Sequence, residues 1–420
     1  MIKTKPRIQA KSLSHKLLPV LTGVLFIATL EGGCSSPAKG SKADRKEKES
    51  KETQQVLKID EIKIKEFASH GYDSGIEYAP ETSKLTLNLD SGFIQVTIVQ
   101  PRRKGRYPLV IYMPGLGESS EAGKNIRNAW ATSGYVVIAI QPLIDDELIM
   151  STAAAKEGDF AYIRHERYAN EVVSSRINVL GKLLEYLKQS GAASDTGLDS
   201  IDLEHIAIVG FDIGANSAMI VAGEEVQNVS NSGFPLKVGA VIALSPYADF
   251  SGATFNSRYQ NIILPVLSIT GDADDDTHGV VPITLHQAPF QYMPEGNKYL
   301  LLLAGATHSV IGNGAPTNDV VNPAGGDSKK ADSESSNKGT GRSRGGRNGK
   351  KTSSNDSPTP ATLAKRVPVG PTQRAMMEVA IEQISTAFLN AYIKSDQMAI
   401  EWLKKDTRTW LYNLGTLKQK

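Results

Sequence analysis

Three residues of this chain are spaced for nucleophilic chemistry. Asp212 is the centre of Gly210-Phe211-Asp212-Ile213-Gly214, Asp274 lies in the carboxylate-rich stretch Gly271-Asp272-Ala273-Asp274-Asp275-Asp276, and His308 ends Gly305-Ala306-Thr307-His308. A carboxylate is a weak nucleophile toward a carbonyl, where it would form an anhydride that lies uphill of an ester. At a saturated carbon carrying halide, or at an epoxide carbon, attack instead leaves an alkyl ester on the aspartate. Water activated by a histidine can then cleave that ester, with a second carboxylate orienting the ring.

The elements that would position these groups flank them in the sequence. His205 to Val209 is a β-branched run that predicts a buried strand, and Ala215 to Ala222 predicts a small-residue helix. Strand, tight turn and helix make a nucleophile elbow, in which flanking glycines leave space where a Cβ would not fit. Leu264 to Thr270 predicts a strand leading to Asp274, and Tyr299 to Leu303 a strand leading to His308. Nucleophile, acid, histidine is the chain order of the α/β-hydrolases.

Further strands are expected at Lys84 to Leu89, Phe93 to Val99, Tyr107 to Met113, Tyr135 to Gln141 and Val238 to Leu244. Ala169 to Gln189 carries Val172, Arg176/Ile177, Leu180, Leu183/Leu184 and Leu187 at amphipathic spacing. Alternation of strands and helices predicts an α/β domain with a mostly parallel eight-stranded sheet, helices on both faces and an antiparallel beginning. Met377, Ile381, Ile384, Phe388 and Tyr392 recur every three or four residues after Pro371, which predicts a last helix packed back on the sheet. Residues 57–313 and 371–413 thus form one domain of about 300 residues, a size that supports a single large core.

Several segments resemble the dienelactone-hydrolase, chlorophyllase and cutinase-type branch of the α/β-hydrolases. They are Tyr112-Met113-Pro114-Gly115-Leu116-Gly117-Glu118-Ser119, Trp130 to Val137, the elbow, Leu244-Ser245-Pro246-Tyr247, Pro265 to Gly271, Tyr299 to His308 and Ser385 to Tyr392. The resemblance implies an α/β-hydrolase fold without a separate cap domain, hydrolysis of a small-molecule or polymeric carboxylic ester, and no cofactor. It also implies Asp274 as acid, His308 as base, and the backbone N–H groups of Leu116 and Ile213 as the oxyanion hole. The chain departs from its relatives at the elbow, where they carry Gly-His-Ser-x-Gly and this chain has Phe211 and Asp212.

The ends and interruptions carry a separate message. Lys3, Lys5, Arg7, Lys11 and Lys16 precede the apolar run Leu17 to Leu30, which is too short to span a bilayer and reads as a signal peptide. Leu30-Glu31-Gly32-Gly33-Cys34 resembles a bacterial lipobox, although Glu31 takes the place of a small or apolar residue and the leucine is displaced by one. Cys34 is the only cysteine in the chain and has no partner for an internal disulfide. Residues 1–34 are therefore expected to be a lipoprotein-type signal, with lipidated Cys34 holding the protein at a bacterial cell envelope. Ser35 after the cysteine, in place of the inner-membrane retention aspartate, implies the outer membrane of a two-membrane bacterium. An ordinary cleaved secretory signal and an uncleaved anchor are the alternatives.

Residues 35–56 are rich in Lys, Glu and Ser and predict a flexible tether. Residues 314–370 are a low-complexity insertion for which no structure is expected. Gly341 to Lys351 within it carries Arg342, Arg344, Arg347, Lys350 and Lys351 with no acid, a candidate polyanion contact. A whole-chain net charge of +2 favours a solvated loop there and no stable nucleic-acid partner.

Other candidates have plainer explanations. Asp272, Asp275, Asp276 and His278 form one acidic loop without a second cluster, which predicts a solvated turn and no metal site. His70, His165, His205 and His286 stand apart, Gly115-Leu116-Gly117 lacks the spacing of a phosphate loop, and Asp249 is the alternative triad acid. Ser217 and Ser245 are substitute nucleophiles without the elbow's exposed position. Three functional classes follow from the sequence. They are an ester-hydrolase relative, an Asp-nucleophile dehalogenase or epoxide hydrolase, and a non-catalytic surface-anchored binding protein. The dehalogenase option lacks the tryptophan that usually follows such an aspartate, since Ile213 stands there. The binding option rests on the missing serine, the tether and the basic loop, and on a histidine that two nearby carboxylates would hold protonated.

Overall fold

A computed structural model describes residues 58, 60–89, 92–142, 145, 147–190, 198–229, 234–248, 253–275, 282–314 and 369–420. The chain divides into two compact units, residues 1–55 and 56–420, and every described residue lies in the second. Cys34, the tether and the basic stretch 341–351 lie outside the described residues.

The strands are β1 (Pro80–Leu89), β2 (Gly92–Pro101), β3 (Tyr107–Met113), β4 (Val136–Ile140), β5 (Ile201–Phe211), β6 (Val238–Leu244), β7 (Val266–Ala273), β8 (Lys298–Thr307) and β9 (Gly415–Gln419). They form one nine-stranded sheet in the order β1-β2-β4-β3-β5-β6-β7-β8-β9. Strands β3 to β8 pair in parallel, while β1, β2 and β9 join antiparallel. The architecture is α/β, as the alternation of patterns predicts. The sheet has one strand more than the eight expected, because β9 lies beyond residue 413. It is a polar segment whose pairing is supplied by the open edge of β8, closed by reciprocal backbone bonds between Lys298 and Lys420.

The helices are α1 (60–69), α2 (Lys124–Thr132), α3 (Ala153–Glu157), α4 (Phe160–Arg167), α5 (Asn170–Ser190), α6 (Ile213–Ala222), α7 (Phe255–Tyr259), α8 (Ala288–Tyr292), α9 (His308–Ile311), α10 (Pro371–Ile393), α11 (Gln397–Lys405) and α12 (Thr407–Leu411). Alternating side chains of β3 serve two cores. Val110 and Tyr112 pack with α2 and α10, whereas Leu109, Ile111 and Met113 pack with α5 and α6. Polar bonds stitch α10 to the far side of the chain: Trp130 Nε1 donates to Ser385 Oγ at 2.9 Å, and the Tyr135 hydroxyl donates to Asn390 Oδ1 at 2.9 Å.

Neighbours of β3 come from both directions of the chain, β4 on one side and β5 on the other. A parallel sheet opens a crevice at the carboxyl ends of its strands where the order reverses in this way. Leu116 follows β3 and Asp212 follows β5, so both lie at that crevice. Between β4 and α5 the chain also makes an excursion through a 3-10 turn, Glu147–Ser151, and helices α3 and α4.

Candidate active site

Asp212 occupies a backbone conformation that L-residues rarely adopt, φ 51° and ψ −111°. Its own N–H bonds Leu244 O of β6 at 3.1 Å, so the strand ladder holds the residue up to the turn. The flanking glycines are required by contact. A Cβ on Gly210 would lie 2.1 Å from Gly214 O, and one on Gly214 would lie 2.1 Å from Met113 O. Tight packing of β3, β5 and α6 around the elbow therefore fixes where the carboxylate points.

Each carboxylate oxygen has a described donor. Leu116 N–H donates to Oδ2 at 3.2 Å, and the Tyr168 hydroxyl donates to Oδ1 at 2.9 Å. The amide expected to hold an oxyanion thus holds an oxygen of Asp212 itself. Ile213 begins α6, where helix geometry leaves the N–H without an intrahelical acceptor. Tyr168 sits between α4 and α5, its ring 4.3 Å from Tyr247 and 4.6 Å from the Arg164 guanidinium. Burial, followed by the Asp212 charge, raises its phenol well above the ordinary value, with Arg164 and Arg176 opposing, so the hydroxyl remains a donor.

The residues expected as acid and base lie together. His308 Nδ1 donates to Asp274 Oδ1 at 2.9 Å, Ser245 Oγ donates to the same oxygen at 3.0 Å, and Thr270 Oγ1 donates to Oδ2 at 2.6 Å. Burial pushes the Asp274 carboxyl upward. The hydrogen bond and charge of His308, the His286 charge and the Thr270 hydroxyl outweigh it and hold the group below its ordinary value. With Nδ1–H on Asp274, the imidazole's Nε2 is the basic nitrogen. Phe211 lies against the imidazole with centroids 4.6 Å apart. A Cβ on Gly115 would come within 2.7 Å of the Phe211 ring and one on Gly312 within 2.5 Å. The phenyl ring of Phe211 is thus a packed wall between the loop after β3 and the end of α9.

Glu118 adds a further carboxyl on the loop after β3, accepting Gly115 N–H at 2.9 Å. Burial pushes it up to about 7; the Gly115 hydrogen bond and the His308 charge oppose the rise, and the Asp212 charge adds to it. Deeper still, Arg176 donates to Ser217 Oγ at 3.2 Å and to Arg167 O at 2.8 Å, and it lies 3.8 Å from Asp145 Oδ2.

The remaining candidates have other placements. Ser217 is fully buried and bonds Ile213 O at 3.3 Å inside α6, so it cannot substitute at the elbow. Ser245 reaches the Nδ1 side of His308, opposite the basic nitrogen. Asp272 Oδ1 accepts the Gly305 N–H across the β7–β8 pair, and Asp275 is exposed. Asp249, Asp276 and His278 lie outside the described residues. His205 pairs with Asp202 at 2.7 Å on the surface, His70 bonds Glu66 O, His165 is exposed, and His286 is buried against Pro246 O at 2.8 Å. Among the described residues no group of three or more His, Cys, Asp or Glu is arranged to hold a metal. Sequence reasoning assigned nothing to Tyr168, Glu118 or Thr270. Glu118 was legible as a carboxylate three residues past Gly115, but the meeting of Tyr168 with Asp212, 44 residues away, depends on the excursion before α5. No protein-family model matches the chain, and no curated protein matches it.

Proposed function

We propose that the protein is a hydrolase on the α/β-hydrolase fold, a relative of the carboxylic-ester hydrolases in which Asp212 stands in the nucleophile's place. One observation carries the proposal. At a strained elbow, Asp212 Oδ2 accepts the Leu116 N–H and Oδ1 faces the Tyr168 hydroxyl. A carboxylate nucleophile needs this division of labour, because one oxygen must attack while the other becomes an oxyanion when its ester is cleaved.

Oδ1 would attack a saturated carbon, forming the C–O bond as the carbon–leaving-group bond breaks with its electron pair. An oxygen leaving group would take the Tyr168 phenol proton, which solvent later restores. His308 would then remove a proton from water, and the hydroxide would add to the Asp212 ester carbonyl. Oδ2 would carry the negative charge against Leu116 N–H and the Ile213 amide. Collapse would release the alkoxide, which takes the proton from His308, and leave Asp212 as the acid with one water oxygen; loss of that second water proton to solvent restores the carboxylate. Tyr168 favours an oxygen leaving group, as in an epoxide, over halide, for which Ile213 offers no N–H donor from its side chain.

A second option, a non-catalytic binding protein, is favoured by the commitment of both Asp212 oxygens to hydrogen bonds and by the side chain's 6% exposure. For location, the proposal is lipid attachment through Cys34 at the bacterial envelope, with the 341–351 segment as a polyanion contact. The test uses His308→Gln, which retains the attacking group and lacks the base. Incubated with a panel of aliphatic epoxides and haloalkanes, it should gain on the Asp212 peptide the mass of one whole epoxide, as a hydroxyalkyl ester, or of one alkyl group in place of hydrogen from a haloalkane. No adduct with any of them, together with ester hydrolysis by Asp212→Ser and none by the wild type, would favour the binding protein.

A further inference from the structure

Asp212 is not the only residue of this crevice held at positive φ. Ser245, the residue after β6, has φ 51°, although a Cβ disfavours that region and the following Pro246 pushes its predecessor toward extended backbone. Its N–H bonds Ile269 O at 2.7 Å, so the strand is regular up to that point, and the side chain is 1% exposed. A rare conformation retained in a buried serine is reason to ask what its hydroxyl does there.

The hydroxyl completes a triangle. Ser245 Oγ lies 3.0 Å from Asp274 Oδ1 and 3.0 Å from His308 Nδ1, which are themselves 2.9 Å apart. The O–H donates to the carboxylate, so an oxygen lone pair faces the imidazole N–H. That N–H is shared between Oδ1 and Oγ, while Oδ1 is shared between the imidazole and the serine. Thr270 holds Oδ2 at 2.6 Å, so neither end of the Asp274 carboxylate can rotate away.

We infer that Ser245 is a positioning residue, which fixes Asp274 and the plane and tautomer of the His308 ring so that Nε2 faces the elbow. The inference rests on the proposed roles of Asp274 and His308 and is independent of whether Asp212 is nucleophilic. It also gives the backbone strain a use: at this positive φ the hydroxyl at the end of β6 reaches the Nδ1 side of the imidazole.

Proton NMR of the full chain in water near 5 °C tests it without any substrate. The wild type should show a low-field imidazole N–H resonance that disappears in His308→Asn. In Ser245→Ala and in Ser245→Gly, the N–H loses the Oγ acceptor and Oδ1 has one competitor fewer. Their hydrogen bond should tighten and the resonance should move further downfield in both. Glycine relieves the positive φ, so the second variant keeps the experiment readable if alanine fails to fold. A resonance that stays in place in Ser245→Gly, or a wild type with no His308 signal, would overturn the inference. Because the readout is the resting protein, failure here differs from failure of Asp212 to form an ester.

Discussion

A carboxylate at a strained elbow suits attack at a saturated carbon rather than at a carbonyl, and it also engages the neighbouring Leu116 amide at rest. In this protein the Leu116 N–H engages Asp212 Oδ2 and the Tyr168 hydroxyl engages Oδ1, the oxygen that attacks in the proposed reaction. Removing the phenol should therefore affect turnover more than folding. Tyr168→Phe is expected to slow the first step by about 10²-fold, the usual scale for a lost general acid, while substrates with a good leaving group lose less. Pre-steady-state kinetics with matched epoxide and halide substrates would show the difference, and equal losses for both would remove Tyr168 from the proton-transfer role. Glu118 supplies a pH signature. Its carboxyl titrates at about 7 in the folded protein against an ordinary value of 4.5, so the folded state binds more protons between those values. Its contribution to stability is present in full below the ordinary value and is lost as pH rises through about 7. Glu118→Gln should flatten the fall in urea midpoint between about pH 5 and pH 8, with Glu382, also raised to about 7, keeping its own share. An unchanged pH profile would contradict the burial of this carboxyl. At this scale, motif spacing made Asp212, Asp274 and His308 visible. Tyr168 and Thr270 carry no such signal, and Ser245 reads only as a substitute nucleophile, because each is an ordinary polar residue whose partner is set by the fold.

At the scale of elements, the elbow depends on backbone contact rather than on side-chain chemistry. Gly214→Ala would place a Cβ 2.1 Å from Met113 O and 2.8 Å from Pro114 O, both backbone atoms that cannot swing aside. A loss of about 3 kcal/mol or more is expected in denaturant unfolding. Gly181→Ala is the matched control: it lies inside α5 with nothing within 4 Å of its added Cβ, and should gain up to about 1 kcal/mol. Equal effects at the two sites would mean that the elbow is looser than its geometry. The long elements were readable because their apolar positions repeat. The expected helix 169–189 is observed at Asn170–Ser190, with Val173 in place of Val172 on the buried side, and β3 and β6 have the expected bounds. Helix α3 has no buried residue and β9 only one large apolar side chain, Leu417, so neither carries a period of its own. Their formation follows from neighbouring structure, and the excursion that delivers Tyr168 belongs to this class.

At the scale of the whole molecule, the mixed sheet brings distant parts of the chain to one crevice. Leu116 comes from the end of β3, Asp212 from β5, Ser245 from β6, Asp274 from β7 and His308 from β8, all at carboxyl ends of the parallel strands. Strand–helix alternation made this α/β arrangement legible, and the chain order of the three candidate residues made the site legible within it. Periodicity cannot report which strands become neighbours, and so it did not foretell that a tyrosine ahead of α5 would face the elbow. The proposal that unites these scales is covalent catalysis by Asp212, and one measurement addresses it most directly. Wild-type protein would be carried through a single turnover in heavy-oxygen water with an epoxide or haloalkane it consumes, and the Asp212 peptide analysed by mass spectrometry. The account predicts one heavy oxygen in Asp212 and an ordinary oxygen in the alcohol product; product carrying the heavy oxygen with Asp212 unlabelled would contradict it.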